Sequence, residues 1–167
     1  TRVFIYPRMY ALHNMAADAG LPAAASEYGE GNAHIKMPVL CNLTNESIQS
    51  NGVFLMENGM HIMIWVGRAV APQVLQDIFG VDRMDHVNSA STVQTTADLG
   101  VRVNNIVQAM RDRRSLFLRI IVVKEGDALE PLFQMHLYDD QKNFPGGNLS
   151  FREYAAITER NTSVKIL

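Results

Sequence analysis

Residues 52–70 read GVFLMENGMHIMIWVGRAV. Two apolar runs, Gly52 to Met56 and Met60 to Val66, flank the tripeptide Glu57-Asn58-Gly59. Asn-Gly at a tight reversal predicts a type I′ hairpin, because that turn needs positive φ at both central residues. In the second run Ile62, Ile64 and Val66 fall on one face, and His61, Met63 and Trp65 on the other. Both faces are largely apolar, so the strand is expected in the middle of a sheet with helices covering each side.

Gly67 ends that run. Ala71-Pro72 then opens a short helix, with proline at its first position and Val74, Leu75, Ile78 and Phe79 on one face. Gly80 stops it. Residues 82–96 are polar and rich in turn formers, a surface excursion. A longer helix is predicted over Ala97 to Arg113, where Val103, Ile106, Val107 and Met110 repeat at i, i+3, i+4, i+7. Ser115 to Val123 is apolar and β-branched, a second central strand, and Leu132 to Tyr138 is expected as a further strand nearer an edge. Pro38 to Leu43 is a short strand upstream. Asp139 to Asn148 reads as a loop turning at Pro145-Gly146-Gly147. Ser150-Phe151-Arg152-Glu153 is a capping box opening a final helix. The fold class is therefore α/β (α+β): a mixed central sheet sandwiched between a long and a short helix, plus a C-terminal helix.

The N-terminal part reads differently. Residues 1–15 are apolar and aromatic with Pro7 in the middle, and 16–33 are rich in Ala and Gly with few large side chains to bury. The domain boundary is placed near Lys36. The first residue is Thr1, not methionine, which fits a piece cut from a longer protein.

Composition bounds the function classes. The chain has 167 residues, 47% hydrophobic and 19% charged, enough apolar material for one core. A formal net charge of −2 argues against a nucleic-acid surface, which needs a basic excess. The single Cys41 has no internal partner for a disulfide and fits a reducing compartment. No apolar run approaches the ~18 residues of a membrane-spanning helix.

Motifs for catalysis are sparse. The five histidines, His13, His34, His61, His86 and His136, are scattered and none pairs at metal-ligand spacing. Asp139 and Asp140 are adjacent, so an extended backbone would send them to opposite faces. No Walker-type phosphate loop, nucleophile elbow or zinc-protease helix occurs. The strongest surface feature is Arg111-Asp112-Arg113-Arg114. Its ordinary reading is charge compensation at a helix C-terminus. The functional reading is a docking patch formed by Arg111, Arg113 and Arg114 for an acidic partner or anionic lipid heads.

The segment 52–70 resembles the hairpin of gelsolin-type domains, and Asn58, Gly59, Trp65 and Gly67 carry that signature. The short helix PQVLQDIFG, the long helix, the strand LFLRIIVV and the capped final helix follow in that fold's order. Upstream, YPRMYALHNM is similar to the segment that ends the helical domain in the cargo-adaptor subunits of the COPII vesicle coat, with Met9 and Met15 where leucines are usual. Downstream, FQMHLYDDQ and LSFREYAAI resemble that family's closing pattern. The resemblance implies that 1–15 end a preceding helical domain, 16–35 connect, and 36–167 form the gelsolin-like domain. It implies a non-catalytic cytoplasmic coat module recruited to endoplasmic reticulum exit sites as a peripheral component. The implied partners are a GTPase-activating coat subunit and membrane cargo proteins. No cofactor or metal is expected in this segment, and zinc is expected elsewhere in such a protein. Calcium-binding gelsolin repeats combine a hairpin carboxylate with an acidic residue of the long helix. Glu57 supplies the first, but residues 101–111 hold no Asp or Glu. The rival readings are an actin-binding repeat of the gelsolin type and a small enzyme.

Overall fold

The alternation in residues 53–66 becomes two antiparallel strands, β3 (Val53–Glu57) and β4 (His61–Val66). They belong to a computed structural model that describes residues 7–23 and 34–137. The other elements are β1 (Arg8–Ala11), β2 (Leu40–Cys41), α1 (Pro72–Phe79), α2 (Asp98–Asp112), β5 (Arg119–Lys124) and α3 (Glu130–Gln134). The strands form a mixed five-stranded sheet in the order β2-β1-β3-β4-β5. Only the β4–β5 pair is parallel, with His61 opposite Arg119 and Val66 opposite Lys124.

The period-2 reading of β4 holds. Ile62, Ile64 and Val66 join Val53, Leu55 and Val122 in a cluster with Leu75, Ile78, Val103, Ile106, Val107 and Met110. Met63 and Trp65 point the other way, into a cluster with Met9, Phe54, Met56, Val123, Phe133 and Leu137. Both expected helices, α1 and α2, therefore lie on one face. The short helix that closes the opposite face is α3. Pro72 opens α1, and Gly80 closes it in the left-handed conformation at φ 71°. Gln94 ties the two helices together. Its amide donates to Gln76 O at 3.2 Å, while its Oε1 accepts from the Thr96 N–H at 2.5 Å, just ahead of α2.

Five expectations need correction. Ser115 to Val123, expected as a second central strand, yields β5 only from Arg119, and among the described residues β5 is an edge strand beside β4. Residues 8–11 are a strand between β2 and β3, so the sheet crosses the boundary expected near Lys36. Pro7 favours extended backbone there, and Met9 and Tyr10 fill opposite cores. Residues 16–23 are no loose connector. Arg102 of α2 donates to Ala16 O at 2.9 Å and Asn105 to Gly20 O at 2.9 Å. Small residues serve this approach: a Cβ on Gly20, at φ 81°, would meet Arg102 O at 2.6 Å.

The hairpin turn is not type I′. That turn would pair Glu57 with Met60, whereas Glu57 pairs with Ile62. Asn58 Oδ1 instead accepts from the N–H groups of Met60 and His61 at 2.9 and 2.8 Å, an Asx-type closure. Residues 132–137 form the end of α3 and a turn, not a strand. Pro131 sits in the first turn, and Phe133 and Leu137 share one buried face at i, i+4. The final helix from Ser150, the loop at Pro145-Gly146-Gly147, and Asp139 and Asp140 lie outside the described residues.

Trp65 is 2% exposed and packs between the sheet and α3. Its ring stacks near Phe133 at 6.4 Å between centroids, and its Nε1 donates to Glu130 Oε1 at 3.1 Å. Trp65→Ala is expected to lower the unfolding free energy by about 3–5 kcal/mol, through lost burial and the cavity left behind. Urea denaturation followed by far-ultraviolet circular dichroism checks this, since Trp65 is the only tryptophan. A curve matching the parent's would place the ring outside the core.

Candidate functional site

One end of the sheet gathers the residues singled out in the sequence. There the β3–β4 turn, the C-terminus of α2 and the segment 113–118 leading into β5 come together. The three arginines expected as one patch do different things.

Arg114 turns inward. Its Nε donates to Glu57 Oε1 at 2.8 Å, and its Nη2 bonds to the same oxygen. The two side chains are 13% and 6% exposed, so this is a desolvated ion pair between the hairpin and the chain just past α2. Arg111 lies over the ring of Phe117 with its guanidinium carbon 4.2 Å from the centroid. Its Nε donates to Leu118 O at 3.0 Å. Arg113 is the C-cap of α2 and is exposed. With Gly59, Arg114, Ser115 and Leu116 it lines a hollow of about 120 Å³.

The hairpin signature splits likewise. Asn58 and Gly59 shape the turn beside this hollow, with Gly59 at φ 86°. Asn58 Nδ2 lies 3.2 Å from His136 Nε2, and His136 Nδ1 lies 3.0 Å from Leu132 O. A carbonyl only accepts, so Nδ1 carries the proton and Nε2 accepts from the Asn58 amide. Trp65 belongs to the core. Gly67 sits at the far end of β4, where a Cβ would meet Ser50 O at 2.0 Å. These two residues position the fold and take no part in the basic end.

The sequence reading missed three exposed side chains here. Met60, Leu116 and Phe117 are 66%, 67% and 76% exposed. Met60 precedes the His61 that pairs with Arg119, so it lies beside the entry to β5. The signal available was the run Leu116-Phe117-Leu118, too apolar for alternation to reveal that only Leu118 is buried.

Elsewhere, burial holds the Cys41 thiol above its ordinary pKa, against a smaller pull from the Ala11 backbone, so it stays protonated at neutral pH. Among the described residues, no group of three His, Cys, Asp or Glu side chains could hold a metal ion. Glu57, the carboxylate a calcium site would need, is already engaged by Arg114. What this end offers chemically is positive charge and apolar surface at fixed positions.

Comparisons with known proteins agree with this architecture. A family model for the gelsolin repeat matches residues 34–107. The protein transport protein SEC24 of Coccidioides immitis is 38% identical over 124 residues, which is 73% of this chain and 13% of that protein. SEC24 of Yarrowia lipolytica is 34% identical over 146 residues, 83% of this chain and 15% of that protein. The crystal structure of the human COPII-coat protein Sec24c superposes at a TM-score of 0.65 and 23% identity, covering 99% of this chain and 20% of that one. That likeness concerns the fold.

The Glu57–Arg114 pair makes a quantitative prediction. Arg114→Met leaves a buried carboxylate without its cation and is expected to cost about 3–5 kcal/mol. The double variant Glu57→Leu, Arg114→Met is expected to recover most of that loss, because two apolar side chains need no compensation. Urea unfolding of the four members of the cycle tests both parts. Additive losses in the double variant would mean that the two groups do not interact in solution.

Proposed function

The chain belongs to the Sec24 family of protein transport proteins, of whose length it spans 13–15%, and from that membership we propose that it serves as the gelsolin-like domain of a COPII-coat cargo adaptor. The observation that carries this is the 38% identity to a SEC24 protein over 73% of the chain. In this reading the domain is a structural and interaction module with no turnover of its own. It works in endoplasmic reticulum to Golgi vesicle transport, on the cytoplasmic side of the membrane and held there through the coat. Its longer protein pairs with a GTPase-activating coat subunit and selects membrane cargo. Zinc binding and the main cargo pockets fall to parts of that protein outside these 167 residues.

The structure supports such a role in physical terms. A sheet covered on both faces is rigid, and a rigid body presents its surface residues in one arrangement. Among the described residues no helix is long and apolar enough to cross a membrane. Recruitment through other coat components fits that observation.

Two measurements test the proposal. Immunoprecipitation of the native protein from its source cells, with sizing and mass spectrometry, is expected to recover a polypeptide several-fold larger than the 167-residue chain together with coat subunits. Recovery of actin, or of nothing, would break the coat assignment. Millimolar calcium is expected to leave the melting temperature unchanged, because Glu57 is committed to Arg114. A clear calcium-dependent rise would favour an actin-binding repeat instead.

A further inference from the structure

We propose that the end of the sheet bearing Met60, Leu116, Phe117, Arg111, Arg113 and Arg119 is a docking surface for a short acidic peptide segment with apolar anchors. The proposal rests on the cargo-adaptor reading only for why such a segment would be presented to it; the surface itself is read from the structure.

Apolar side chains exposed together mark interaction surfaces, and three that are about two thirds or more exposed, Met60, Leu116 and Phe117, flank the paired ends of β4 and β5. Phe117 is held in place by the Arg111 guanidinium stacked 4.2 Å away, so its exposed ring is preorganised. The charge around them is one-sided. Glu57 is engaged by Arg114, and within residues 111–119 Asp112 is the one carboxylate against Arg111, Arg113, Arg114 and Arg119. Among the described residues, Arg113 and Arg119 reach no carboxylate within ion-pair distance. A net-positive end on a chain of formal charge −2 is complementary to an acidic partner.

The shape favours a peptide over a flat membrane. Gly59, Arg113, Arg114, Ser115 and Leu116 line a concave part of the surface, a hollow of about 120 Å³. Its volume admits one carboxylate-bearing side chain, with Arg113 in its lining to receive the charge. Addition of a strand to the β5 edge is the less suitable mode, because that edge is already engaged at two points. Leu118 O accepts from Arg111, and Val122 N–H donates to Ser89 O at 3.2 Å. Recognition here goes through side chains.

The test uses the protein purified at its natural length and a fluorescein-labelled Glu-Leu-Glu-Phe-Glu-Leu peptide, read by fluorescence anisotropy. Saturable binding that weakens with added salt is expected. Arg113→Glu and Phe117→Ser should each weaken it by about tenfold or more, with unchanged melting temperature. Arg119→Glu provides a further charge reversal if the helix-end variant fails to fold. Arg83→Glu, beside Met84 near the opposite end of the sheet, should bind as the parent does. Peptide affinity unaffected by the three patch variants would overturn the proposal, as would no binding at all. Binding to vesicles of phosphatidylserine and phosphatidylcholine in equal parts, without binding to the peptide, would overturn it in favour of a lipid surface. A protein that recovers coat subunits from cells yet ignores the peptide would sink this surface and leave the coat assignment intact.

Discussion

Strand β4 has apolar side chains on both faces, and water cannot be left against either. Ile62, Ile64 and Val66 are fully buried on one side, and Met63 and Trp65 are at most 2% exposed on the other. At about 25 cal/mol per Å² of apolar surface removed from water, each such side chain contributes roughly 1.5–3 kcal/mol. Losing either covering layer would forfeit several of these contributions together. That constraint explains the architecture: α1 and α2 must lie on one side, and α3 with the 42–48 segment must close the other. It also explains why β4 takes a parallel neighbour. A strand wanted on both faces sits inside the sheet, and β5 reaches its side only after the chain has crossed over through both helices.

The connections that hold those layers are made at points of close backbone approach. Gly100 lets α2 meet the end of α1, where a Cβ would lie 2.4 Å from Asp77 O. At the C-terminal end of β4, Glu125 gathers three strands of chain: it accepts from the Arg68 N–H at 2.8 Å and from Ser50 Oγ at 2.8 Å. The Arg68 backbone hydrogen bond, helped by Ser50 and the Arg68 charge, holds its carboxyl below the usual range. A carboxylate with a depressed folded pKa stabilises above its unfolded pKa and loses that contribution as pH falls through the folded value. The hold that Glu125 gives this end of the sheet therefore weakens in acid.

What was legible in the sequence follows from periodicity. Residues 53–66, α1 and α2 each repeat a single period long enough to be read, and Pro72 and Gly80 mark one helix at both ends. The misreadings are short segments. Arg8–Ala11 is four residues, and its strand character comes from partners at Cys41 and Glu57 that local pattern does not announce. Ala19 and Gly20 looked too small to be buried, yet smallness is what lets them pack against α2. Leu132 to Leu137 supports both periods, and the i, i+4 pair Phe133 and Leu137 is decided by Trp65 above it. The basic cluster was legible as a cluster only. Its division into an inward Arg114, a stacking Arg111 and an outward Arg113 depends on Glu57, far away in the chain.

That division bears on what the domain is built for. A buried ion pair is a poor way to gain stability, since desolvating two charges offsets most of their attraction. It is an effective way to fix one geometry, because a guanidinium and a carboxylate satisfy each other in few orientations. Here the pair joins the hairpin turn to the end of α2, the two elements that carry Met60 and Arg113. With Arg111 tied to Leu118 O and stacked on Phe117, the exposed apolar side chains stand on loops that the charged groups hold still. Ordering these loops has been completed during folding, so a partner that meets them has less conformational entropy to remove. A surface held in one shape is what recognition demands.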